Sequence, residues 1–377
     1  MTAAASRTTA STRPAVRIDG VDAARGIALI GMFVAHVAPV ASTVDANELI
    51  ALADDRPRLL FALTAGIGLG LISGAVRPVT DRVERGVLRR QIAIRAVLLI
   101  ALGVFVVVAL RPLVFVILDV YGVAFLVMLP LLFLPARVAI VLGTALLTMT
   151  PAIAAIAERD PQTVELADSP IGLLVTWFLV GAYPVIIWVP VMLIGLGMAR
   201  AGVASPRVVQ WSALVAVAVA CIALPLARLL PDPAEATIDS SAAAWSAPVR
   251  ASLETLGNTA VGVGVVAGAI ALTALAVPAV RRTTRSLLSP ITAMGAMPLT
   301  IYTAHLVVIS MSKRTEDGRV TDDSWALTIG LIVGSMVFAW VWHRFVGRGP
   351  LEMLLRWASG RSRVAPSDGD RRTADAG

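Results

Sequence analysis

RIDGVDAARGIALIGMFVAHVAPV, residues 17–40, sets ionisable side chains into an apolar run. A run of this length reads as a membrane helix. Charge inside a bilayer is costly, so Asp22, Arg25 and His36 each become candidates for function. At about 100° of turn per residue, Asp22, Arg25, Leu29, Met32 and His36 share one helix face. At about 1.5 Å rise per residue, Arg25 and His36 stand about 16 Å apart along the axis. One stripe therefore joins a charged end to a titratable ring deep in the apolar run.

The rest of the chain repeats that apolar character. Of its 377 residues, 57% are hydrophobic and 15% charged, where a soluble domain carries about 25% charged residues. Mean hydropathy is +0.82. The expected fold class is an all-α polytopic integral membrane protein, because the apolar runs are too long and continuous for a barrel. Runs near 21–41, 58–74, 92–110, 113–134, 137–156, 184–200, 208–230, 253–277, 290–312 and 325–345 predict about ten transmembrane helices. The short stretch 170–183 reads as a re-entrant segment or an eleventh span, with the re-entrant form favoured.

Charge orients these spans. Arg7, Arg13 and Arg17 precede the first, and Arg77, Arg82, Arg85, Arg89 and Arg90 follow the second. Arg281, Arg282 and Arg285 follow the eighth, and Arg348, Arg356, Arg361 and Arg363 follow the tenth. The alternate loops hold Asp45, Glu48, Asp54 and Asp55, then Glu158, Asp160, Glu165 and Asp168, then Asp232, Glu235 and Asp239. The positive-inside rule then places both termini in the cytoplasm of a cell with this chain in its plasma membrane. The same clustering accounts for the net charge of +7 without nucleic acid. The expected organisation is a cytoplasmic tail over 1–20, one membrane domain over 21–350, and a cytoplasmic tail over 351–377 that is disordered past 359. No apolar core precedes residue 21, so the first helix reads as an uncleaved anchor. Arginine and alanine dominate, as in a high-GC, bacterial genome.

The single cysteine, Cys221, excludes an internal disulfide, and the three histidines, His36, His305 and His343, make a metal site an unpromising reading. Gly66, Gly70 and Gly74 recur at a spacing that lets membrane helices approach closely. No GK[ST] follows them, so a phosphate loop is disfavoured.

Depth within the predicted topology brings distant residues together. His36 lies in the outer half of the first span, His305 towards the outer end of the ninth, and Asp119 in the outer third of the fourth. A histidine suits general-base work on a hydroxyl or amine, and a carboxylate can hold its tautomer. The competing reading is interhelical hydrogen-bonding glue. His343, beside Trp340 and Trp342, reads as an interfacial belt residue. At the cytoplasmic end, Arg25 and the cluster Arg85, Arg89, Arg90 and Arg95 would suit phosphates, or lipid headgroups and topology alone. Arg25 serves a site or a structural pair with Asp22.

The opening pattern VDAARGIALIGMFVAH (21–36) resembles the catalytic region of heparan-alpha-glucosaminide N-acetyltransferase and its bacterial relatives. LDVYGVAFL (118–126), GAYPVIIWVPVMLIGLGMAR (181–200), MGAMPLTIYTAHLVV (294–308) and GRGPLEMLLR (347–356) resemble the bacterial domain-of-unknown-function family 418. The resemblance implies a transmembrane acyltransferase that uses acyl-CoA from the cytoplasm and acylates a cell-envelope glycan or glycolipid on the other side. His36 matches the family's catalytic histidine, with His305 and Asp119 as its expected helpers. Asp22, Arg25, Arg89 and Arg90 are the candidates for the donor site. No tightly bound cofactor is expected, and the other partner is the lipid bilayer itself. A transporter or flippase for an amphipathic or lipid-linked solute is the alternative, since polar groups at mid-depth and Pro298 also suit a gated path.

Overall fold

The computed structural model describes residues 17–39, 55–231, 241–274, 277–316 and 319–360. Arg7, Arg13, Asp45, Glu48, Asp54, Asp232, Glu235, Asp239 and the tail from Arg361 onward, on which part of the charge reading rests, lie outside the described residues.

Apolar segments shielded from water must bond their own backbone, and so they become helices. In chain order these are α1 (Asp19–Val37), α2 (Asp55–Ile72), α3 (Arg82–Leu110), α4 (Leu118–Met128), α5 (Ala136–Ala157), α6 (Pro161–Ala167) and α7 (Gly172–Val175), which continues as a π-helical turn over Thr176–Val180. Then follow α8 (Val185–Ala201), α9 (Pro206–Arg228), α10 (Ser241–Thr273), α11 (Pro278–Ala296) and α12 (Pro298–Met311). An antiparallel hairpin, β1 (Arg314–Glu316) and β2 (Arg319–Thr321), leads to α13 (Trp325–Phe345) and α14 (Pro350–Ala358).

Among the described residues, six helices are long and apolar enough to cross a membrane: α1, α3, α5, α9, α10 and α13. Two bent pairs, α7 with α8 at 47° and α11 with α12 at 79°, raise the number to as many as eight. Two of the expected ten, α2 and α4, are not among these candidates, each for a physical reason. Helix α2 has 18 residues but carries Asp55, Arg56 and Arg58 among them. Helix α4 has only 11 residues: Pro130 breaks its apolar run just past the helix end, and Pro112 and Pro135 bound the run on either side. Neither is peripheral: α2 is buried throughout 59–67. The segment expected as a tail from 351 begins with α14, whose Leu355 is buried.

Helix α1 packs against α2, α10 and α11, α2 packs against α8, and α8 against α5. Glycine permits the closest of these contacts. A Cβ at Gly66 would meet Met192 O at 2.0 Å, and one at Gly195 would meet Leu63 O at 2.2 Å. The glycine spacing on α2 is therefore a packing seam. Gly74 is different: it lies past the end of α2 with φ of +115°, where a side chain would be strained. The outer helices show their apolar faces. Helix α9 buries only Ala216, Ala223 and Ala227 and turns Leu214, Val217 and Ile222 outward. Such bands suit hydrocarbon, as expected of a multi-pass membrane protein.

Arg200, 3% exposed, fastens the end of α2. Its Nη1 donates to Gly70 O (3.2 Å) and Ala75 O (2.6 Å). Its Nη2 donates to Ser73 Oγ (2.7 Å) and to Leu132 O (2.7 Å), in the turn after α4. Carbonyls at helix ends lack intrahelical partners, so one guanidinium meets several of them. Arg200→Leu would strand these acceptors in the interior, at a cost of about 3 kcal/mol or more. The expected result is a clearly lowered thermal midpoint of the solubilised protein; an unchanged midpoint would rule out the clamp.

Candidate active site

The charged end of the α1 stripe is a knot of three helices. Arg25 Nη1 donates to Asp22 Oδ1 (3.1 Å) and to Gly295 O (3.1 Å), and its Nη2 donates to Thr64 O (3.1 Å). Arg17 Nε holds the other oxygen of Asp22 at 2.6 Å. Helix α11 comes this close because a Cβ at Gly295 would meet Asp22 O at 1.7 Å. Asp22 and Arg25 thus form a structural pair, and both also line a cavity.

That cavity has a volume of about 330 Å³ and opens between α1, α2, α3, α4 and α14. This is the small end of the range for ligand pockets. Five arginines, Arg17, Arg25, Arg95, Arg348 and Arg356, face two carboxylates, Asp22 and Glu352. Tyr121 and Phe125 form an apolar wall. The Arg95 guanidinium lies 5.9 Å from the Phe125 ring centre, and its Nε is buried with no hydrogen-bond partner among the described residues. Burial, and then the neighbouring Arg356 and Arg17, push the Arg348 guanidinium below its ordinary pKa. An anion in the cavity would relieve this crowding.

Arg89 and Arg90 do not line the cavity. Arg89 Nε donates to Leu129 O (3.3 Å) at the end of α4 and lies 5.3 Å from the Phe133 ring centre, while Arg90 is exposed. Helix geometry explains this: Arg89 and Arg90 sit about 240° and 140° around α3 from Arg95.

At the other end of the stripe, His36 meets His305. Nδ1 of His36 is 3.1 Å from Nε2 of His305. His305 is 1% exposed, and its Nδ1 donates to Tyr302 O. A carbonyl only accepts, so the proton of a neutral His305 sits on Nδ1 and its Nε2 is bare. That nitrogen accepts from Nδ1–H of His36, which puts the lone pair of His36 on Nε2, without a partner among the described residues. Phe33 and Tyr302 hold the His305 ring, with centres at 4.8 and 4.7 Å. Tyr302 Oη accepts from Ile117 N (3.1 Å), which pins the start of α4 to α12.

Asp119 follows on α4, but its hydrogen bond goes elsewhere. Trp177 Nε1 donates to its Oδ2 at 2.9 Å, and its Oδ1 is buried without a partner among the described residues. Trp177 stands on the π-helical turn, a distortion frequent near functional sites. Between cavity and histidines the stripe is filled, with Leu29 at 0% and Met32 at 4% exposure. His343 is exposed in the last turn of α13.

Residues 17–224, more than half of the chain, match the family described as heparan-alpha-glucosaminide N-acetyltransferase, catalytic. The chain belongs to that family. Residues 198–362 match a second description, protein of unknown function (DUF418). Comparison with curated proteins found no match. The first match identifies a transmembrane acetyltransferase-like protein. The N-acetyltransferase segment contains the stripe, Arg95, Asp119 and Tyr121, whereas His305, Arg348, Glu352 and Arg356 lie in the second segment.

Sequence reasoning missed Tyr121 and Glu352 as cavity residues. Tyr121 was signalled by its place in LDVYG beside Asp119, and Glu352 by being a lone carboxylate among the closing arginines. Tyr302→Phe should leave the Ile117 amide without its partner and lower stability by about 1–2 kcal/mol. A chemical-denaturation series on the solubilised protein would read this loss, and equal midpoints would show that the hydroxyl does not pin α4.

Proposed function

We propose that this protein moves an acyl group, in the simplest case acetyl, from cytoplasmic acyl-CoA to a hydroxyl or amine of an extracytoplasmic glycan or glycolipid. The observation that carries this reading is the histidine pair, because its bonding leaves His36 Nε2 free as a base. Membership of the N-acetyltransferase family supports the reaction class. The basic end faces the cytoplasm by the positive-inside rule. Both termini then lie inside, and the histidine pair lies in the outer half of the bilayer.

The arginine cavity suits the phosphates of the donor. Arg95, Arg348 and Arg356 would hold them, with the buried Arg95 Nε supplying an unused donor. The acyl arm then runs along α1, which requires Leu29 and Met32 to move aside. His36 Nε2 takes the proton from the acceptor as its oxygen or nitrogen attacks the thioester carbonyl. The carbon–sulfur bond breaks, and the departing thiolate recovers that proton from His36. His305 Nε2 accepts from His36 Nδ1–H throughout and steadies the transient imidazolium. Asp119 holds Trp177 and takes no part in the proton transfer.

The bends at 47° and 79° favour a second reading, transport of an amphipathic solute, since broken helices often line such paths. Purified protein in nanodiscs, given labelled acetyl-CoA and an envelope-glycan extract, separates the two. Label transfer with release of free thiol is expected. His36→Ala should lower the rate by about a hundredfold or more. Arg95→Ala combined with Arg356→Ala should raise KM for acetyl-CoA more than it lowers kcat. No binding of acetyl-CoA, with sided solute uptake in its absence, would replace acyl transfer by transport.

A further inference from the structure

The GRGPLEMLLR motif (347–356) of the segment of unknown function can be read residue by residue. A Cβ at Gly349 would meet Glu352 Oε2 at 2.2 Å, Met297 Cβ at 2.6 Å and Thr300 Oγ1 at 2.7 Å, so a side chain here would displace Glu352 from its place. Pro350 opens α14 with its φ already helical. Leu351 N donates to Thr300 Oγ1 (3.1 Å). Glu352 Oε1 accepts from Leu299 N (2.7 Å) and Thr300 N (3.2 Å), and its Oε2 accepts from Thr300 Oγ1 (2.5 Å). Leu355 is buried against the bundle, and Arg348, Glu352 and Arg356 all face the arginine cavity.

The amides of Leu299 and Thr300 belong to the first turn of α12, which no intrahelical carbonyl reaches. The 79° bend between α11 and α12 sets that turn inside the protein. Left unpaired there, the amides would be costly, and a carboxylate at a helix N-terminus is electrostatically favoured. Glu352 therefore caps α12 from a different helix. His305 lies about 7.5 Å further along the axis of α12. The axial position and rotation of this short helix decide where His305 Nε2 meets His36.

We propose that Glu352 is a positioning residue for the histidine pair, and that α14 couples filling of the arginine cavity to the alignment of His305 with His36. An anion held by Arg356 acts on the same helix that caps α12. The segment of unknown function thereby contributes one ring of the pair and the part that sets its place. The catalytic consequence rests on the acyl-transfer reading; the positioning itself does not.

The test uses the full chain in lipid nanodiscs, with Glu352→Gln and Glu352→Asp. Acetyl-CoA turnover is the first readout. Glu352→Gln is expected to lower kcat about tenfold or more, as misplacement by a fraction of an ångström can, with little change in KM. Glu352→Asp, which keeps the charge, should recover part of that loss. The second readout needs no turnover. Diethyl pyrocarbonate modification of each histidine is quantified by mass spectrometry, with exposed His343 as internal reference. His305 should be protected in the parent protein and several-fold more reactive in Glu352→Gln. Added CoA should deepen protection of His305 in the parent and fail to do so in Glu352→Gln. Equal His305 reactivity in parent and Glu352→Gln overturns the positioning role, and no response to CoA in the parent overturns the coupling. If Glu352→Gln does not fold, Glu352→Asp carries the same comparison. A parent protein that never turns over acetyl-CoA defeats acyl transfer alone, because the modification experiment still decides the positioning.

Discussion

Wherever a helix stops or bends inside this bundle, its freed backbone groups must be met by protein, because hydrocarbon offers them nothing. Charged side chains do most of that work. Arg25 reaches the carbonyls of Thr64 and Gly295, and Arg200 gathers those of Gly70, Ala75 and Leu132. Arg58 donates to Ala182 O beside the break before α8, and Lys313 donates to Leu110 O at the end of α3. Glu352 does the converse for the amides that open α12. The bent architecture exists because these groups sit at its corners.

The same requirement shows why charge in such a sequence is ambiguous. An arginine inside an apolar run announces a polar task, but that task can be a carbonyl to satisfy or a ligand to hold. Arg25 does the first and lines the cavity suited to the second. Arg200 does only the first, fastening backbone carbonyls and the Ser73 hydroxyl. Arg89 sits near enough in sequence to Arg95 to suggest a common site, yet rotation around α3 separates them. Helical periodicity places residues relative to one axis; it does not say how that axis is turned against its neighbours.

Much of the fold was legible for this reason, and parts were not. The long apolar runs and the stripe from Asp22 to His36 are properties of single helices. Alternating charge led to the expectation that His36 and His305 share a depth, and the structure sets their ring nitrogens 3.1 Å apart. Asp119, expected at the same depth, bonds Trp177 instead. The shortening of α4 had Pro130 as its sign within the run, and the place of Glu352 depended on a bend at Met297 that has only Pro298 as its sign. The hairpin before α13 was signalled only by the Asp317–Gly318 pair in the sequence. Its turn lies outside the described residues.

The pairing of His36 with His305 has an evolutionary consequence. The two rings come from segments that match separate family descriptions, which overlap only over 198–224, mostly within α9. The overlap is itself built into the bundle, because Arg200 lies in it and fastens Gly70, Ala75 and Leu132, and α9 packs closely on α10. An exchange of either segment would have to preserve both these joining contacts and the meeting of the two imidazoles. The two segments are thus tied at two places, where they join and at the contact between α1 and α12.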